Sequence, residues 1–184
     1  MPTVNILPVS DVSNSPAWTI GTGSDVYAVL NDDDTGHVTS DSSDIEATAT
    51  GKICEVGMQN HSLAGGTTIN SVTAVVKHNN RGRGVSYTIQ VKINHSGGTY
   101  YTEDISGSGY SSWVTTTQTA RTVSDGGTGG STAWTLAEID GLQMNLELTA
   151  ISGGTTGITY AYFIIDYTAP SAVTYNATFF GANF

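Results

Sequence analysis

Basic residues are scarce. Six Lys and Arg stand against sixteen Asp and Glu, a formal net charge of −10. Such a chain repels a free polyanion, which argues against DNA or RNA as a direct partner. Its one local basic spot, Arg81-Gly82-Arg83, reads as a solvated turn tip. Cysteine is nearly absent: Cys54 stands alone, so no intrachain disulfide forms. It alternates with Val56 and Met58, the pattern of a small buried hydrophobe. No apolar run approaches the roughly 20 residues of a spanning helix, and no membrane partner is expected. Charged residues make up only 12%, about half the usual quarter, so the surface must be built largely from Ser, Thr, Asn and Gly. Such residues suit strands and turns better than helices.

What is present is period-two alternation. Val85, Tyr87, Ile89, Val91 and Ile93 fall on one face, and Ser86, Thr88, Gln90 and Lys92 on the other. Met144, Leu146, Leu148 and Ala150 repeat the pattern against Asn145, Glu147 and Thr149. The stretch Ile158 to Tyr167 is apolar on both faces, as a strand would be that is central to a sandwich or covered by another subunit. Asn79-Asn80-Arg81-Gly82, Ser96-Gly97-Gly98 and Ser152-Gly153-Gly154 are expected to close hairpins. Helix signals are few. Thr135 to Leu142 predicts one or two turns, with Thr135 as cap and Glu138 three residues later. Many short strands with Gly-rich turns and no crossover helices predict an all-β fold, an antiparallel β-sandwich of jelly-roll type.

The sandwich domain is expected to span 1–169, with Pro170 ending its last strand. The remaining 170–184 carries no charged side chain and reads as an apolar arm or added strand. Tyr175, Phe179, Phe180 and Phe184 are its candidate interface residues, pairing with the chain's own sheet or with a neighbour.

Candidate sites are sparse. Asp32, Asp33 and Asp34 form the densest acidic cluster and are weak calcium candidates, with Asp41 and Asp44 beyond them. Their spacing is not that of an EF-hand, and no metal or cofactor is expected. Asp25, Glu46, Glu55, Glu103 and Asp104 are scattered over different segments, without the facing pair that glycoside hydrolysis needs. His37, His61, His78 and His95 show no zinc spacing and read as loop histidines. No Gly-x-Ser-x-Gly elbow occurs, so no catalytic residue is assigned and no enzyme is expected. Trp18 and Trp134 read as core. Trp113, with Tyr110 and Tyr101, is the candidate glycan contact.

Asp11-Val12-Ser13, Trp18-Thr19, the stretch Tyr27 to Asp34, Trp134-Thr135-Leu136-Ala137, Ile139, Leu142 and Asp166-Tyr167 form a pattern running from Val4 to Tyr167. This pattern resembles that of tailed-bacteriophage virion structural proteins of the β-sandwich or jelly-roll type. The resemblance implies a non-enzymatic virion protein, first of all a capsid decoration (cement) protein. It would work as a homo-oligomer, a trimer, on the major capsid protein or other virion proteins. The alternative it implies is a tail or fibre component that binds a host-surface glycan. The opening Met1-Pro2-Thr3-Val4 lacks the features of a secretory leader, so synthesis in the host bacterial cytoplasm and incorporation into the virion are expected.

Overall fold

The computed structural model describes residues 1–21, 25–31, 44–81, 85–95, 101–108, 112–124 and 132–171. Among these the chain forms eleven strands and two short helices. The strands are β1 (Thr3–Ile6), β2 (Pro8–Ser13), β3 (Thr19–Ile20), β4 (Ile45–Ala47), β5 (Lys52–Met58), β6 (Thr68–Asn80), β7 (Ser86–Asn94), β8 (Tyr101–Ser108), β9 (Val114–Thr117), β10 (Gln143–Ile151) and β11 (Thr156–Thr168). The helices are α1 (Val26–Leu30) and α2 (Leu136–Asp140).

Two antiparallel sheets face each other. One runs β3-β4-β11-β6-β9, with β1 also paired to β11; the other runs β2-β5-β10-β7-β8. Four pairings explain this order: β4 with β11, β5 with β10, β6 with β9 and β7 with β8. The chain from β4 onward is thus one long antiparallel double strand, closed at the β7–β8 hairpin. It is wound so that β11 meets β6 in one sheet and β10 meets β7 in the other. That is the jelly roll, as the alternation and turn spacing predict. The three N-terminal strands extend it.

The alternating faces fall where the sequence puts them. Val85, Tyr87, Ile89, Val91 and Ile93 are buried, as are Cys54, Val56 and Met58, and Met144, Leu146 and Leu148. Against them, from the other sheet, pack Ile69, Ala74, Val76, Ile158, Ala161, Phe163 and Ile165. The two-faced apolar strand β11 is central, flanked by β6 on one side and by β1 and β4 on the other. Trp18 and Trp134 are both core. Each satisfies its indole N–H on a backbone carbonyl, Leu146 at 3.3 Å and Arg121 at 2.8 Å.

Three local expectations need correction. Ala150 is exposed rather than inward, because a bulge between Leu148 and Ala150 inverts the alternation there. The turns after Asn79 and Ser152 are not hairpins. The first carries the chain from β6 to β7 and the second from β10 to β11, each time into the opposite sheet. Turn residues encode a reversal, not the partner of the next strand. Of the three connections expected to close hairpins, the one from β7 to β8 joins paired strands; Ser96, Gly97 and Gly98 themselves lie outside the described residues. Gly153 and Gly154, at φ 90° and 75°, make the β10–β11 crossover. A side chain on Gly154 would strike Val85.

Both helices are held at their N-termini. α2 has the expected capping box: Thr135 Oγ1 accepts from Glu138 N, and the Glu138 carboxylate accepts from Thr135 N. α1 was not legible. Its first amides, Val26 and Tyr27, donate to the carboxylate of Asp11 on β2, at 3.1 and 2.7 Å.

One flank of the sandwich is tied by a single carboxylate. Glu103 of β8 accepts from the Thr119 amide (3.0 Å), the Thr119 hydroxyl (3.1 Å) and the Arg121 guanidinium (2.7 Å). Its backbone carbonyl accepts from Gln118 Nε2. The edge of one sheet is thereby joined to the chain leaving the edge of the other. Glu103→Ala is expected to lower the free energy of unfolding in urea by about 2 kcal/mol. A loss below about 0.5 kcal/mol, the level of an ordinary surface change, would show that this tie is not needed.

Candidate functional site

The inward alternation of β5, β10, β7 and β8 leaves their other residues on the outer face of the five-stranded sheet. The pairing registers line these up in rungs. Gly57, Gln143 and Asn94 form one, and Glu55, Asn145, Lys92 and Thr102 the next. Ile53, Glu147, Gln90 and Asp104 follow. Beyond them lie Thr88 with Ser106 and then Ser86 with Ser108. Across the rungs run side-chain bonds: Lys92 Nζ to Glu147 at 2.7 Å, Gln90 Nε2 to Asp104 at 3.4 Å, Thr88 with Ser106 at 3.1 Å, and Ser86 to Ser152 at 3.0 Å. Apart from Ile53, the residues of these rungs are polar or glycine, and none is aromatic.

A cleft of about 560 Å³ opens on it, lined by Glu55, Gln90, Lys92, Asn94, Thr102 and Asn145. Asn94 reaches across β10 to donate its amide Nδ2 to the Glu55 carboxylate. A carboxylate acceptor fixes which end of the amide carries nitrogen. The other end, Asn94 Oδ1, is buried with no hydrogen-bond partner, and so is Asn145 Oδ1. Each unmet buried acceptor costs roughly 1–3 kcal/mol. A second cleft of about 490 Å³ lies further along the same sheet, where Ser86, Thr88, Ser106 and Ser152 mix with Tyr87 and Ile151.

The residues singled out from sequence do not converge on one place. Asp32, Asp33, Asp34 and Asp41 lie outside the described residues, as do Tyr110, His37, Tyr175, Phe179, Phe180 and Phe184. Asp44 is buried and forms an ion pair with Arg81 at 2.8 Å, and Arg81 also holds Glu46. Arg81, though exposed, is therefore a structural link between β4 and the chain leaving β6, while Gly82 and Arg83 of the expected tip lie outside the described residues. Trp113 is half-buried, its ring edge over Gly157 of β11. Tyr101 is 7% exposed, its hydroxyl donates to the Val123 carbonyl, and its ring is near Trp134 and under the Arg121 guanidinium. It also opens β8, whereas Trp113 follows the far end of that strand, roughly 20 Å along the chain path. Among the described residues no group of three or more His, Cys, Asp or Glu comes together.

Cys54 is fully buried, and burial, then Asp11 and Glu55, push its thiol well above the ordinary range. That is the inert core cysteine read from sequence. The histidines differ from the expectation of loop positions. His61 does sit in a loop, its Nδ1 accepting from Leu63 N and its Nε2 3.6 Å from Asp140. His95 is buried at the end of β7, bonded to the Ser124 carbonyl at 2.8 Å and edge-on to Trp134. His78 lies within β6, in the interior between the sheets. Its Nδ1 meets the Tyr87 hydroxyl of β7, and its Nε2 the Thr116 hydroxyl of β9 at 2.8 Å. Either neutral tautomer satisfies both contacts.

No known family model matches the chain, and no curated protein does. The likeness to phage virion proteins rests on the residue pattern alone.

Burial pushes His78 down to about 4 and Tyr87 up to about 12. Unfolded, His78 titrates near its ordinary value of about 6.5. The unfolded chain therefore takes up a proton, as pH falls below that value, which the folded chain refuses. The stability due to neutral His78 is full above about pH 6.5 and lost as pH falls toward about 4. In urea titrations, the fall in stability between about pH 7 and about pH 4 should be smaller in His78→Gln by about 2 kcal/mol. An unchanged fall would place the acid sensitivity elsewhere.

Proposed function

We propose that the chain is a non-enzymatic structural protein of a tailed-phage virion, acting as a capsid decoration (cement) protein through oligomeric β-sandwich contacts. The observation that carries this reading is where the apolar side chains reach the surface. With Met1, the exposed large hydrophobics among the described residues are Val9, Val12 and Val114. All three valines sit on edge strands, Val9 and Val12 on β2 of one sheet and Val114 on β9 of the other.

Proteins that must stay monomeric guard such edges with lysine, proline or inward charge. Here β9 reads Val114-Thr115-Thr116-Thr117, without charge or proline. An edge of this kind suits pairing with a strand of another copy or another virion protein. The partners this reading supplies are further copies of the chain, in a trimer, and the major capsid protein. Many weak contacts repeated over a shell add up by avidity, so a small interface per copy suffices to brace a particle. The acidic balance suits an outer surface away from packaged nucleic acid.

Mass-calibrated light scattering of the purified chain, with co-sedimentation on undecorated capsids, tests the proposal. The expected result is a stable oligomer that coats capsids, with Val114→Lys or Val12→Lys weakening assembly about tenfold or more. A monomer that leaves capsids bare overturns it and moves the chain to a tail or fibre.

A further inference from the structure

We propose that the cleft on the outer face of the five-stranded sheet is a binding site for an uncharged, hydroxyl-rich carbohydrate, seated on Asn94, Asn145, Glu55 and Lys92. The two unmet amide oxygens carry the argument. Asn94 is only 8% exposed, and its amide is locked by donation to Glu55, so the end facing away is an oxygen. Asn145 stands between Glu55 and Lys92 on the same rung, lines the same cleft, and carries a second buried oxygen without a partner. Protein interiors satisfy nearly all such acceptors, and two in one cleft call for a ligand that donates.

The surrounding charges select among donors. An anionic ligand would meet Glu55 and Glu147 and two further acceptors. A divalent cation would meet the Lys92 ammonium and one carboxylate already engaged with Asn94. A sugar hydroxyl both donates and accepts. Vicinal hydroxyls match the Asn145 amide and the Lys92 ammonium beside it on one rung, with the Asn94 amide on the next; the Lys92 bond to Glu147 leaves two donors spare. Thr102 and Gln90 complete the polar wall. The cleft volume of about 560 Å³ falls within the ordinary range of small-ligand sites. With no aromatic ring in the lining there is no stacking platform, so each site binds weakly. Specificity lies in hydroxyl geometry. This places the carbohydrate contact on a different sheet from Trp113, whose ring edge lies over Gly157 of β11.

The site is complete within one chain, so its test does not depend on capsid binding or oligomerisation. The measurement is side-chain amide NMR of the isotope-labelled chain. The probe is a panel of neutral oligosaccharides of the gluco, galacto and manno series, with calcium chloride titrated separately. The expected result is saturable movement of the Asn94 and Asn145 amide signals with at least one sugar. Asn145→Leu should weaken that binding about tenfold without lowering the melting temperature, because the oxygen it removes is unpaired. A structural asparagine would behave in the opposite way: its loss would lower the melting temperature. Silence of both amides across the panel overturns the proposal. So does movement with calcium alone, or a fall in melting temperature with sugar binding intact.

Discussion

The pairing of β6 with β11 extends from Thr68 against Thr168 to Asn80 against Thr156, and the remaining architecture is arranged around it. Both strands are thirteen residues long, about twice the usual length. They join the outer turn of the wound double strand to its inner turn. Because β11 gathers β1 and β4 along its other edge, and β6 gathers β9, one ladder fixes the place of every strand in its sheet. Phe163 and Ile165 on β11, with Ala74 and Val76 on β6, then set the surface on which the other sheet must pack. The second sheet repeats the device through β10 and β7, whose eight paired positions carry Leu146 and Leu148 opposite Val91 and Ile89.

Much of this was legible in the residues. Strict alternation marks β7 and β10, because a strand half in water can hide only every second side chain. The capping box at Thr135 and Glu138 is a local signal and survives as read. Other features depend on contacts between segments far apart in sequence. α1 is capped by Asp11, which belongs to a strand fifteen residues earlier. The turn at Asn79 carries the signature of a reversal whether the next strand pairs with β6 or crosses to the other sheet. His78 looks like a strand-end histidine until Tyr87 and Thr116 are seen to meet it from two other strands. The polar cleft escaped for the same reason. Alternation places Asn145 and Lys92 on the wet face, but only the register of β5, β10 and β7 puts Glu55, Asn145 and Lys92 in a row.

The interior polar contacts divide into two kinds. His78 with Tyr87 and Thr116, and His95 with Ser124, join separate strands through satisfied hydrogen bonds, and a satisfied buried network favours one arrangement over near alternatives. Asp44 with Arg81 acts similarly at the end of β4 and β6, where Gly157 leaves room for the carboxylate and for the Trp113 ring. The open amide oxygens of Asn94 and Asn145 belong to neither arrangement. They belong to residues lining the cleft on the outer face of the five-stranded sheet, are themselves buried, and tie no strand to another through those atoms.

The edges have a geometric consequence. β9 lies beside β8 on the flank that Glu103 ties, while β2 lies with β5, β4 and β3 on the opposite flank and in the other sheet. The two edges that expose valines are thus unlike in sequence and lie on opposite flanks. A contact that joins β9 to β9 relates two copies by a two-fold axis and ends there. A contact that joins β9 of one copy to β2 of the next has a direction. Repeated, it either returns on itself as a ring or runs on without limit, according to the rotation between neighbours. The handed winding that builds one sandwich therefore also sets the two ways in which a collection of them can close.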